Sequence, residues 1–253
     1  MKIKEWFESI KLALSFLTII PCKPKYSEEI LKKSLFFFPV AGLITGSVVF
    51  GSAKIIEICG GLNLILYSTI LLFAEYCVSN FFHIDGFCDC ADALYFTKKG
   101  KDKHQILKDP HIGMYAGSLM FFLFAIKTGA LFEALQNGYF KILLLYPVCG
   151  FIPSFIQPYF MKPMFQEGLG NSLKNIVNKR HIFFSFIFFS ITATLIFNLR
   201  FAAVFLLCNY LFSFAVSSVI KSKFGGFNGD TIGFGIELVK LFALITGIVI
   251  YEI

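Results

Sequence analysis

The chain has 253 residues, of which 57% are hydrophobic and only 15% charged, far more apolar and less charged than an ordinary soluble domain. That composition excludes a soluble globular protein and implies a chain that crosses a bilayer several times. The formal charge of +7 falls in short loops between apolar runs, so it reads as membrane topology rather than a nucleic-acid surface.

Residues 5 to 20 set Trp6, Phe7, Ile10, Leu14 and Leu17 against Glu5, Glu8, Ser9, Lys11, Ser15 and Thr18 at roughly helical spacing. This predicts an amphipathic helix in the membrane interface or beside the bundle. Charges on both sides of Trp6 and the lack of a small-residue cleavage site argue against a cleaved signal peptide. Pro21 and Pro24 end the helix, and Ser27-Glu28-Glu29 opens a second short amphipathic piece. Spans follow near 35–55, 62–82, 113–135, 139–160, 182–198, 200–220 and 233–251, each close to the roughly 20 residues a bilayer requires. In the first, Gly42, Gly46 and Gly51 are expected to permit close helix contacts. The expected fold is therefore an all-α polytopic membrane protein, with about seven transmembrane helices plus an N-terminal amphipathic helix. Residues 1–34 form the interfacial segment and 35–253 the bundle, together one integral membrane domain.

With the chain before the first span placed in the cytoplasm, 18 basic residues fall on that side and three, Lys54, Lys141 and Arg200, on the other. The positive-inside rule thus orients the chain. The long polar loops, about 83–112, 161–181 and 221–232, then all emerge on the cytoplasmic face, and a site assembled from loops would face the cytoplasm.

The chemistry concentrates in His83-Ile84-Asp85-Gly86-Phe87-Cys88-Asp89-Cys90-Ala91-Asp92. If this stretch is helical, steps of four and three put Asp85, Asp89 and Asp92 along one face. Carboxylates so close repel one another, and oxygen-rich clusters of this kind usually hold a hard divalent cation, most often Mg²⁺ bridging to a phosphate. Cys88 and Cys90 could form a soft-metal pair, but the ligands around them are carboxylates and no second cysteine pair supports zinc. The seven cysteines are odd in number and scattered, which argues against a disulfide framework.

Three further features lie on the same side. Lys108-Asp109-Pro110-His111-Ile112-Gly113 stands at the start of a span, where backbone N–H groups can approach an anion; the plain alternative is a Pro-Gly turn capped by Asp109. Gly225-Gly226-Phe227-Asn228-Gly229-Asp230 can cradle phosphate or complete a metal site, or serve only as a flexible connector. Phe165-Gln166-Glu167-Gly168-Leu169-Gly170-Asn171 is a turn that could contact substrate. Glu237, two helical turns beyond Asp230, and Glu75, at similar depth on another span, are costly inside a membrane and suggest one shared polar cavity. Lys127 and Glu133 also fall within a span, and Lys127 either neutralises a carboxylate or substrate phosphate or makes a structural pair.

Taken together these residues resemble the cobalamin synthase family, the adenosylcobinamide-GDP ribazoletransferases. The resemblance runs through Leu14-Ser15-Phe16-Leu17-Thr18-Ile19-Ile20-Pro21, the His83 to Asp92 string, Asp109-Pro110-His111-Ile112-Gly113, Glu167-Gly168-Leu169-Gly170-Asn171, and Gly225-Gly226-x-x-Gly229-Asp230-Thr231-Ile232-Gly233 followed by Glu237-Leu238. It implies transfer of phospho-cobinamide from adenosylcobinamide-GDP to α-ribazole or its 5′-phosphate with release of GMP, in a multi-pass protein of a prokaryotic cell membrane. For such a phosphoryl transfer Mg²⁺ is expected on Asp85, Asp89, Asp92, Asp230 and Glu237, with His83 or Glu75 as general base. Substrate contacts are expected from Lys108, Asp109, His111, Gly113, Lys127, Gly226 and Gly229, and the expected partners are the two small-molecule substrates and membrane lipid, with no nucleic acid. The chain departs from the family where His111 stands for a usual Arg, where Val148-Cys149-Gly150-Phe151 lacks an Arg, and where Asn228 replaces a usual Thr. An arginine is a permanent bidentate phosphate partner and a neutral histidine is not. The competing readings are a prenyltransferase or CDP-alcohol phosphotransferase, whose Asp-rich helices have other spacings, and a metal transporter, whose acidic residues should lie near the bilayer midplane.

Overall fold

In the computed structural model, residues 2–60, 63–95, 106–107 and 111–251 are described. Helix α1 (Lys2–Leu17) packs on α2 (Glu28–Ser34), which passes through a short 3₁₀ turn (Leu35–Phe37) into α3 (Phe38–Cys59). Then come α4 (Leu64–Val78), α5 (Phe82–Tyr95), α6 (Met114–Gln136), α7 (Lys141–Cys149), α8 (Pro153–Phe160), α9 (Leu169–Ile176), α10 (Lys179–Ile196), α11 (Leu199–Phe224) and α12 (Gly229–Tyr251). Among the described residues the only bridge of β type is an isolated one between Pro163 and Phe227. Among the described residues six helices or helix pairs are long and apolar enough to cross a membrane, and the bent pair α4–α5 would make a seventh. The chain is a multi-pass membrane protein, and large exposed residues such as Phe121, Phe122, Leu195 and Leu207 suit a lipid-facing surface.

The helix ends follow local chemistry. Side chains of Ser27, Asn63, Asn178 and Asn198 accept backbone N–H groups at the starts of α2, α4, α10 and α11, the usual role of these short polar residues. At the end of α11 Gly225 takes a left-handed φ of 75°, which costs glycine little. The span expected at 139–160 is two helices, α7 and α8, because Pro153 begins the second and the chain turns at 150–152. The span expected at 62–82 ends at Val78, and α5 leaves it at 97°. That corner is made by Asn80 and Phe81, both with φ of 52°, an unfavourable region for side-chain-bearing residues. The Phe81 N–H donates to the Tyr76 carbonyl at 3.0 Å and its ring stacks on Tyr76, so the strained corner is held from both backbone and side chain.

Small residues set the closest contacts. A Cβ on Gly42 would stand 2.7 Å from the Val148 Cα, and one on Gly46 would strike the Leu144 carbonyl, so α3 and α7 meet backbone to backbone. Gly51 faces open space instead. Outside the bundle, α1 is tied to the α1–α2 segment by the Lys25 N–H donating to Glu8 Oε2 at 2.7 Å, by Ser9 donating to the Ile30 carbonyl, and by the Glu5–Lys33 pair. The Lys25 N–H, with Lys11 beside it, holds the Glu8 carboxyl below its ordinary value.

Candidate active site

Helix α12 starts where α5 crosses it, and the crossing point is Gly86. A Cβ there would lie 2.7 Å from the Asp230 Cα, so no larger residue fits without moving one helix. The Phe87 and Phe234 rings stack at 5.2 Å one turn deeper. This contact brings the first acidic residue of α12, Asp230, to the acidic face of α5. The α5 stretch is helical as the step-of-four reading requires, and exposure falls along its acidic face: Asp85 is exposed, Asp89 half-buried and Asp92 buried. The charges of Asp230, Asp85 and Asp92 all bear on Asp89.

A cavity of about 310 Å³ opens beside the crossing, lined by His83, Asp85, Glu167, Gly170, Asn228, Gly229 and Asp230 among others. Asp230 is aimed by Asn228, whose Nδ2 donates to its Oδ2 at 2.6 Å, while the Asn228 Oδ1 accepts the Thr231 N–H. Thr231 is fixed in turn by Gln157, which accepts from its hydroxyl and donates to its carbonyl at 3.0 Å. His83 is 3% exposed and its Nε2 has no hydrogen-bond partner among the described residues, although the residue lines the cavity. A buried polar nitrogen without a partner is costly unless something arrives to meet it.

The remaining expected residues do not all gather at the cavity. Asp92 lies at the far end of α5, where Oδ2 accepts the Gly113 N–H at 2.6 Å and Oδ1 the Ala116 N–H at 2.9 Å. It caps α6 from another helix, with Gly113 pressed against its carboxylate. Glu75, Lys127 and Glu237 lie deeper and do not line the cavity. They form a closed ring with Lys240: Lys127 Nζ reaches Glu75 at 2.9 Å and Glu237 at 3.1 Å, and Lys240 Nζ reaches Glu75 at 3.2 Å and Glu237 at 2.9 Å. Tyr76 and Tyr146 donate to Glu237 and Glu75 respectively, each at 2.8 Å. Two carboxylates, two ammonium groups and two hydroxyls thus satisfy one another inside the bundle, so the expected shared cavity at this depth is a filled ionic core. Of the phosphate-cradle residues, Gly229 lines the cavity, while Gly226 is pressed on the Lys162 carbonyl, 2.7 Å from where its Cβ would be. His111 and Gly113 are exposed at the start of α6, and Lys108 and Asp109 lie outside the described residues.

Sequence reasoning passed over Tyr76, Tyr146 and Gln157 and gave Lys240 no role. The spacing of Glu237 and Lys240, three apart on one helix, was the available signal. Nothing local marks the tyrosines. Cys88 and Cys90 are buried, with the Cys88 sulfur 3.9 Å from that of Met120.

Residues 9–248 match the family described as CobS, cobalamin-5-phosphate synthase. A protein of Thermodesulfovibrio yellowstonii named adenosylcobinamide-GDP ribazoletransferase is 31% identical over 250 residues, covering 92% of this chain and 93% of its own length. Proteins of the same name from Carboxydothermus hydrogenoformans and Clostridium perfringens are 29% and 27% identical, over 96% and 99% of this chain and 96% and 100% of theirs. No solved structure matches the chain. The match covers every segment that builds the cavity, from the Asp85 helix through the Glu167 turn to Asp230, and the chain belongs to the cobalamin-5-phosphate synthase family.

Proposed function

We propose that this chain joins adenosylcobinamide-GDP to α-ribazole or its 5′-phosphate, giving adenosylcobalamin or its 5′-phosphate and releasing GMP, in a prokaryotic membrane with its acidic cavity facing the cytoplasm. Kinship supports the activity, and the uneven distribution of basic residues supports the orientation. The observation that carries the chemistry is the meeting of Asp85 and Asp230 across Gly86 at the mouth of a cavity.

In this reading the ribose 3′-hydroxyl oxygen of the acceptor attacks the phosphorus that carries cobinamide. The bond from that phosphorus to the bridging oxygen breaks, and GMP leaves with the oxygen and the electron pair. The hydroxyl proton passes to His83 Nε2, which is buried at the cavity without a partner. Glu75, the other candidate base, already accepts from Tyr146, Lys127 and Lys240, so it has no free geometry for the task. Gly229, at the first turn of α12, lets a phosphate approach the backbone closely.

Asp85, Asp89 and Asp230 would hold Mg²⁺, which when bound neutralises negative charge on the diphosphate as GMP departs. The donors fit in kind, since they are all hard carboxylate oxygens. No three His, Cys, Asp or Glu groups among the described residues form a ready-made metal site. Phosphate oxygens and water would complete the ligand set, as is ordinary for Mg²⁺. Asp92 and Glu237 stay outside this set, because one caps α6 and the other belongs to the ionic ring.

The test is turnover of adenosylcobinamide-GDP with α-ribazole by the purified full chain in liposomes. GMP and the corrinoid product should form in equal amounts, and release of any other nucleotide would overturn the reading.

A further inference from the structure

A second cavity, of about 620 Å³, lies next to the acidic one and is lined by Lys162, Pro163, Met164, Phe165, Gln166, Asn171, Phe224 and Gly225. The two share Phe165. Between them two short stretches of backbone pair: the Met164 N–H donates to the Phe227 carbonyl at 2.9 Å and the Phe227 N–H to the Lys162 carbonyl at 3.0 Å, which makes a partition. Phe227 belongs to the wall of the first cavity and Lys162 to that of the second. Gly226 makes the partition possible, because any side chain there would collide with the Lys162 carbonyl.

The charges of the two cavities are opposed. The first presents Asp85, Glu167 and Asp230. Among the described residues no carboxylate lines the second, which offers the ammonium group of Lys162 and the neutral amides of Gln166 and Asn171, with Met164, Phe165 and Phe224 as apolar surface. Lys162 is exposed and pairs with no carboxylate among the described residues. A diphosphate that travels with a divalent cation suits the first cavity. A lone phosphate monoester on a nucleoside with a flat aromatic base suits the second, since a lysine is a point-charge partner for phosphate and the apolar side chains can pack on the base.

We infer that the second cavity is the acceptor subsite, with Lys162 holding the 5′-phosphate of the acceptor nucleoside, so that its ribose is presented across the Met164–Phe227 partition to the acidic cavity. This rests on the transfer reaction proposed above. It assigns the choice between phosphorylated and unphosphorylated acceptor to one residue outside the acidic cluster.

The experiment compares kcat/KM for α-ribazole 5′-phosphate and for α-ribazole at saturating adenosylcobinamide-GDP, in the wild type and in Lys162→Ala and Lys162→Arg. The wild type should prefer the phosphorylated acceptor. Lys162→Ala should lower the ratio of the two kcat/KM values by roughly 10–100-fold, as expected for loss of one charge-assisted contact, through KM for the phosphorylated acceptor, and Lys162→Arg should restore most of it. An unchanged ratio overturns the inference, as does an equal fall with both acceptors or a rise confined to KM for adenosylcobinamide-GDP. A wild type that turns over neither acceptor overturns the transfer reading itself, and this assignment with it.

Discussion

Gly86 on α5 and Asp230 on α12 touch backbone to backbone, with the Cα of Asp230 2.7 Å from the place a Gly86 Cβ would occupy. The distance between the two acidic elements is therefore set by the absence of a side chain. Gly86→Ala should push the helices apart at that point and cost about 1–3 kcal/mol, as overpacking does in close-packed interiors. Because the carboxylates sit beside the contact, turnover should fall at least ~10-fold, since small displacements of positioned groups are expensive in rate. A denaturing-detergent titration paired with GMP release checks both effects. Full activity in Gly86→Ala would show that the close approach has no bearing on the site.

His83 offers a buried nitrogen with no hydrogen-bond partner among the described residues. If it accepts the acceptor hydroxyl proton, His83→Asn should lower kcat by roughly 10²–10⁴-fold, the usual contribution of a general base, and leave KM for both substrates within a few-fold. A pure rise in KM would instead make it a binding residue.

Much of this arrangement is legible in the sequence, for definable reasons. The bundle follows from uninterrupted apolar runs, and the α5 face follows from the steps joining Asp85, Asp89 and Asp92. What cannot be read is where a carboxylate spends its oxygens. Asp92 looks like its two neighbours in the string, yet it reaches the start of α6, with α5 turned 97° from α4 at the Asn80–Phe81 corner; asparagine tolerates a positive φ, but nothing in Phe81 advertises one. Glu75 and Glu237 are rightly marked as unusual by their depth, but periodicity cannot tell a polar cavity from a ring closed by Lys240 on the helix of Glu237 and Lys127 on a third helix.

That ring contains as many ammonium groups as carboxylates, all essentially unexposed. Glu237→Gln leaves two lysines facing one carboxylate and should destabilise by about 3–5 kcal/mol, as removal of one partner from a buried pair does. Lys240→Met in the same chain removes the surplus charge. The double variant should therefore be more stable than the two single effects predict, with a coupling of roughly 0.5–3 kcal/mol, read from the same detergent titration of all four proteins. Strict additivity would mean the four charges act independently.

Metal dependence separates the acidic residues by task. If Asp85 and Asp230 meet the cation, chelation with EDTA should abolish turnover and added Mg²⁺ restore it. In Asp85→Asn and Asp230→Asn the Mg²⁺ concentration for half-maximal rate should rise at least ~10-fold, because each loses an anionic oxygen ligand. Asp92 should behave otherwise. Its two oxygens hold the Gly113 and Ala116 N–H groups, so Asp92→Ala should cost about 1–2 kcal/mol in stability as a lost helix cap. Asp92→Asn, which keeps one carbonyl oxygen as acceptor, should cost less. Both should need the same Mg²⁺ as the wild type, since capping an adjacent helix and binding the cation are separate jobs. A Mg²⁺ requirement in Asp92→Asn that moves as far as in Asp85→Asn would return Asp92 to the ligand set and make its hydrogen bonds to α6 a means of aiming it.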